Sequence, residues 1–117
     1  MPRRHVIESL EKAKHIREML DSKKAQDMVL IDVRNQSTIT DFYLIASGMS
    51  SPHLKAMYGD VKHQLKQEKE QCYRSSGSPE AGWMVLDYVD VIIHLFSPEA
   101  REYYAIESLW DQAPRID

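Results

Sequence analysis

Residues 83–96 read WMVLDYVDVIIHLF, and the two-residue alternation of side chains along them predicts a β-hairpin. The strands are Trp83–Asp87 and Asp90–Phe96, with Tyr88 and Val89 turning between them. Setting Asp87 opposite Asp90 fixes a register in which Leu86 meets Val91, Val85 meets Ile92, Met84 meets Ile93 and Trp83 meets His94. Successive side chains of a strand point to opposite faces, so Met84, Leu86, Val91, Ile93 and Leu95 make one apolar face that belongs in a core. Trp83, Val85, Asp87, Asp90, Ile92 and His94 make the other, which is mixed. Two carboxylates facing each other across a hairpin repel and weaken it. The mixed face is therefore either a solvated surface with acidic turn residues, or a docking surface in which an aromatic anchor sits beside acids suited to a basic partner.

Upstream of the hairpin, residues 6–22 carry Val6, Leu10, Ala13, Ile16 and Leu20 at helical spacing. Met28–Val33 is a nearly continuous apolar run of strand length, and Asp41–Ser47 is a second strand. Ser51 and Pro52 suit the cap and first position of a helix whose apolar stripe is Leu54, Met57, Tyr58, Val61 and Leu65. Lys66–Glu70 reads as a solvated helix end. Gln71–Ser75 is a weak strand, followed by a loop over residues 76–82. Past the hairpin, Ser97-Pro98-Glu99 repeats the cap-and-proline device, opening a helix over 98–110 with Tyr103, Ile106 and Trp110 as its buried stripe. The tail from Asp111 should fray. This order predicts an α/β fold, a single mixed sheet flanked by helices, as one domain over 1–117 with its core at about 5–110.

The chain has 117 residues, enough for one real core, and no apolar run near membrane-span length. Its charged N-terminus lacks the apolar segment of a signal peptide. Cys72 is the sole cysteine, which excludes an intrachain disulfide and points to a reducing cytoplasm. A net charge of −3 counts against a chain whose main task is gripping nucleic acid, and the lysines are scattered, so little direct RNA contact is expected. The histidines (5, 15, 53, 63 and 94) lack metal-ligand spacing, and no phosphate-binding glycine fingerprint is present, so neither metal nor cofactor is expected. The one catalytic alternative is magnesium-dependent nucleotidyl transfer or nucleotide binding through Asp41, Asp87 or Asp90. It suffers from spacing, since Asp87 and Asp90 come long after the Gly48–Ser51 loop that would hold phosphates.

Several separated motifs resemble one family. Asp32-Val33, Ser37-Thr38-Ile39-Thr40-Asp41-Phe42 and Ala46-Ser47-Gly48-Met49-Ser50-Ser51-Pro52-His53-Leu54-Lys55-Ala56 are similar to the first half of the ribosomal silencing factors, called RsfS in bacteria and Iojap in plants. Residues 83–104, then Ile106-Glu107-Ser108-Leu109-Trp110 and Ala113-Pro114, are similar to the second half, so the likeness spans about 5–114. The resemblance implies a nucleotidyltransferase-like fold without enzymatic activity. It implies binding to the large ribosomal subunit through ribosomal protein L-fourteen, which sterically blocks small-subunit joining and represses translation, and it implies homodimers. The implied docking surface lies on the sheet and includes Trp83, Asp87, Tyr88 and Asp90. On this reading Trp83 is the anchor, Val85 and Ile92 pack around it, Asp87 and Asp90 meet basic side chains, and Tyr88 and His94 bond at the rim. Two positions depart from the family pattern. Val89 stands where glycine is usual, and Pro52 where a basic residue is frequent.

Overall fold

The computed structural model describes residues 2–117, with side chains from Glu8 onward, so Val6 of the expected stripe lies outside the described side chains. The elements are α1 (Pro2–Ser22), β1 (Gln26–Asp32), β2 (Phe42–Ser47), α2 (Ser51–Gln67), β3 (Arg74–Ser78), β4 (Trp83–Asp87), β5 (Val91–Phe96), α3 (Pro98–Tyr104), a 3-10 turn (Ile106–Trp110) and β6 (Arg115–Ile116). They form one six-stranded mixed sheet in the order β3-β4-β5-β2-β1-β6, parallel between β2 and β5 and antiparallel elsewhere.

Two long helices close one face. Ala13, Ile16 and Leu20 of α1 and Leu54, Met57, Val61 and Leu65 of α2 join Leu44, Ala46, Leu86 and Ile93 in one buried cluster. Each of the larger side chains among them contributes about 2 kcal/mol of burial. Both helices end in the same reversal. Lys24 and Lys69 take left-handed φ values of 62° and 66°, and the next amides reach back to Leu20 and Leu65 respectively, without the glycine that usually marks such an end.

The hairpin is present, but its tip lies one residue later than the alternation places it. The Tyr88 amide donates to the Val91 carbonyl, leaving Val89 and Asp90 at the tip. Moving a turn by one residue moves the pairing by two. Asp87 therefore meets Ile92 instead of Asp90, Val85 meets His94, and Trp83 meets Phe96. An even shift keeps each strand side chain on its expected face. The tip is a γ-turn, closed by the Asp90 amide on the Tyr88 carbonyl at 2.9 Å, with Val89 at φ 75°. A β-branched residue there is strained, and three contacts hold it. The Val89 amide donates to Asp87 Oδ1 at 2.8 Å, the turn bond closes beneath it, and Asp90 is anchored to Lys12 at 2.6 Å.

Four other expectations are corrected. Ser50, not Ser51, caps α2, its hydroxyl accepting from the His53 amide, and Pro52 still falls in the first turn. Strand β3 runs Arg74–Ser78 and not Gln71–Ser75; it reaches Ser78 because Gly77, at φ 87°, lets the chain close on β4 where any Cβ would collide with the Trp83 carbonyl. The last helix breaks at Ala105, which is left-handed, and this turns Tyr103 out of the expected buried stripe to 81% exposure. The tail does not fray. Residues 115–116 pair with β1, and the Arg17 guanidinium donates to the Ile116 and Asp117 carbonyls. Pairing there satisfies a sheet edge that would otherwise stand open.

Candidate docking face

The second face of the sheet carries three rows of side chains, read across β3, β4, β5 and β2. The first is Arg74, Asp87, Ile92 and Tyr43; the second Ser76, Val85, His94 and Ile45; the third Ser78, Trp83, Phe96 and Ser47. α3 and the 3-10 turn cover this face only in part. Arg101 clamps them down, its guanidinium holding both Glu107 carboxylate oxygens at 2.7 and 3.1 Å and donating to Ser47 Oγ at 2.9 Å. This pairing keeps the Glu107 carboxyl below its usual range.

The clamp builds an aromatic cluster. Tyr104 lies 4.5 Å and Phe96 5.0 Å from Trp83 between ring centroids, and Trp110 lies 5.3 Å from Tyr43. Trp83, Tyr43 and Trp110 remain partly exposed. The Trp83 indole donates to His94 Nδ1 at 3.0 Å. An indole N–H can only donate, so Nδ1 is the bare acceptor and the imidazole is neutral with its proton on Nε2. Burial pushes the His94 pKa down to about 4, which agrees. Tyr43 is pushed up by burial first and by the nearby Asp87 charge second.

The seven residues singled out from the sequence are not all brought together. Trp83, Val85, Asp87, Ile92 and His94 share this face, with Ile92 only 7% exposed and most of His94 enclosed by its aromatic neighbours. Asp90 and Tyr88 are elsewhere. The γ-turn swings the Asp90 carboxylate to the helix side, where Lys12 spans it and Glu70 at 2.6 and 2.9 Å. Burial opposes the charge on Lys12, but the hydrogen bonds to Asp90 and Glu70 outweigh it and raise the Lys12 pKa. Tyr88 continues the inward alternation of Met84 and Leu86 and is 3% exposed within the main core. The paired-acid arrangement thus reduces to Asp87 alone on this face.

Tyr43, Arg74 and Trp110 join the face without having been picked from the sequence as members of it. On β2 the alternation was hidden because both sides are apolar, Phe42 and Leu44 inward, Tyr43 and Ile45 outward. The magnesium alternative's carboxylates are also divided. Asp41 accepts from Ser9 at 3.0 Å and shares a small cavity with Asp90, while Asp87 is across the sheet. No group of three potential metal-ligating side chains occurs among the described residues, and no helix among them is long and apolar enough to cross a membrane.

Comparison with known proteins matches residues 6–117 to the family described as ribosomal silencing factor during starvation, RsfS. The chain is 34% identical over 97 residues to the ribosomal silencing factor RsfS of Bacillus subtilis, covering 83% of this chain and 82% of that one. It is 37% identical over 93 residues to the RsfS of Haemophilus influenzae, covering 80% and 91%. A crystal structure of a protein from Chromobacterium violaceum superposes with a TM-score of 0.82 at 30% identity, over 86% of this chain and 84% of that one. One from Bacillus halodurans superposes with a TM-score of 0.81 at 29% identity, over 92% and 98%.

Proposed function

This chain belongs to the ribosomal silencing factor family, and we propose that it silences by seating its open sheet face on the large ribosomal subunit, through ribosomal protein L-fourteen, so that the small subunit cannot join. The observation that carries this is the half-covered aromatic face around Trp83, Tyr43 and Trp110, with Asp87 at its margin. A sheet face of this kind suits a protein partner. Its rings offer large contact area already held in place by neighbours, so little side-chain freedom is lost on docking. Asp87 supplies the acid for a lysine or arginine opposite, and its role is in orientation and association rate more than in affinity. Trp83 is the anchor and Val85 and Ile92 its surround. His94 acts through Trp83, fixing the indole plane. A non-catalytic role follows, exerted where the cell's ribosomes are. Homodimers that used this face would exclude subunit binding.

Co-sedimentation with isolated large and small subunits tests the reading. Selective pelleting with the large subunit, and fewer joined ribosomes as protein is added, is the expected result. Trp83→Ala should weaken pelleting about 30-fold, or about 2 kcal/mol. Because Trp83 also packs on Phe96 and Tyr104, Val85→Arg provides a second variant on the same face with less effect on the fold. Undiminished pelleting by both folded variants would move the site off the sheet.

A further inference from the structure

We propose that the C-terminal half of α2 and the cleft beside it form a second contact surface, for the phosphate backbone of RNA. The sequence Lys66–Glu70 mixes charges of both signs, but the fold separates them. Glu68 turns to His15 of α1 at 2.9 Å, and Glu70 to Lys12 at 2.9 Å. Asp60 accepts from Gln64. The left-handed turn at Lys69 places Glu70, because it sends the chain back toward α1 just as that residue is reached. Lys62, Lys66 and Lys69 are left exposed, and none of them has a carboxylate at ion-pair distance among the described residues.

These lysines line a cleft of about 700 Å³ with Gln71, Cys72 and Tyr88, and Glu70 stands in its wall, already engaged by Lys12. Lys62 also lies over the Tyr58 ring, donating to its hydroxyl at 3.2 Å. From Lys62 to the end at Lys69 the cations run about 10 Å along the helix direction. Three cations over that length can meet a short run of backbone phosphates and release their counterions. Sequence-independent backbone contact needs only exposed cations, which this surface has. A dedicated small-ligand pocket would instead present enclosed polar groups, and the enclosed wall here is the Tyr88 ring in the core.

The surface lies on the helix-covered side of the sheet, so RNA held there leaves the Trp83 face free for a protein. The overall charge of −3 is no obstacle, since phosphate contact depends on local charge. That the RNA is ribosomal rests on the function proposed above; that the surface takes RNA does not.

The test is retention of a labelled RNA hairpin, free of ribosomal protein, by the full chain over a salt series. The variants are Lys62→Gln/Lys66→Gln/Lys69→Gln, with an unchanged thermal melt as the fold control, and Val85→Arg. Wild type and Val85→Arg should retain the hairpin. The triple variant should lose most retention, with a log K against log salt slope shallower by about two to three. In large-subunit pelleting the triple variant should show the same loss of slope, whereas Val85→Arg should lower affinity with the slope little changed. Failure of the subunit reading would abolish pelleting and leave hairpin retention intact. Equal retention by wild type and triple variant, or displacement of the hairpin by a nucleotide at matching concentration, would overturn the RNA surface.

Discussion

The two faces of this sheet are built from the same strands by the same alternation, yet they end differently. On one side, α1 and α2 bring apolar stripes about three turns long, and Leu44, Leu86 and Ile93 disappear beneath them. On the other, a seven-residue helix and a 3-10 turn bring mostly Ala100, Ile106 and Trp110, too little to seal the face. Trp83, Tyr43, Val85 and Asp87 stay partly open. Apolar character along a strand therefore decides only that a face wants cover. The length of the elements available to cover it decides whether the face becomes core or remains available to a partner.

Neighbouring residues on β4 give the sharpest contrast. Leu86→Ala should cost about 2–5 kcal/mol of stability, because a fully enclosed side chain leaves a cavity. Val85→Ala, one residue away on the open face, should cost about 1 kcal/mol or less and instead weaken subunit pelleting. Urea unfolding curves for the two variants check this. Similar losses of stability would mean the faces are equally core.

The open face has one enclosed titratable group. His94 in the folded chain resists its proton down to about pH 4, whereas the unfolded chain takes one up near 6.5. The unfolded state then binds more protons throughout that window, so stability is full above it and falls as pH drops from about 6.5 to about 4. The total loss is on the order of 3 kcal/mol. Carboxylates held low, such as Glu107 and Asp32, add their own losses only at the acid end. Unfolding free energies between pH 7 and 5 are read above the range where those carboxylates act, and His94→Gln should flatten that segment. An equally steep segment in His94→Gln would assign the slope to other groups.

Asp87 and Asp90 extend the comparison to charge. Three residues apart, one lies on the open face and the other is tied to the helix layer through Lys12. Asp90→Asn should cost about 1–3 kcal/mol, as it takes away the closest partner of a largely enclosed ammonium, and should leave pelleting unchanged. Asp87→Asn should do the reverse, with little change in stability and a weaker, less salt-sensitive association. Stability and pelleting measured on both variants decide whether the two acids have been separated as the γ-turn places them.

Much of this was legible because β4 and β5 differ between their faces. Alternation placed five of the seven chosen residues on one face even though the register was two residues off, since an even slip leaves faces alone. Loop geometry was not legible. Tyr88 and Asp90 were misplaced because nothing in Tyr-Val-Asp signals a γ-turn, and both long helices end on lysines where glycine is the usual signal. Tyr43 was hidden by apolar neighbours on both sides, Trp110 by its expected place in the buried stripe of a continuous helix, and the break at Ala105 by a residue that ordinarily continues a helix. The charge separation behind Lys62, Lys66 and Lys69 depends on which way each acid turns, and that is a tertiary fact.

The hairpin tip joins the two faces, and its strain gives the smallest effect and the cleanest test of how the tip is held. Val89 is 59% exposed, so its side chain contributes little burial, while its φ of 75° costs about 1–3 kcal/mol. Val89→Gly removes that cost and adds about 1 kcal/mol of unfolded-chain entropy, leaving a net stabilisation of about 1 kcal/mol. The melting temperature should rise by about 4 °C. The amide at residue 89 is retained by glycine, so its bond to Asp87 survives, and subunit pelleting should not change. A lower melting temperature would mean that the valine side chain packs in a way its exposure conceals. A higher one with altered pelleting would mean that the strained tip, and not the sheet alone, sets the position of Asp87 on the open face.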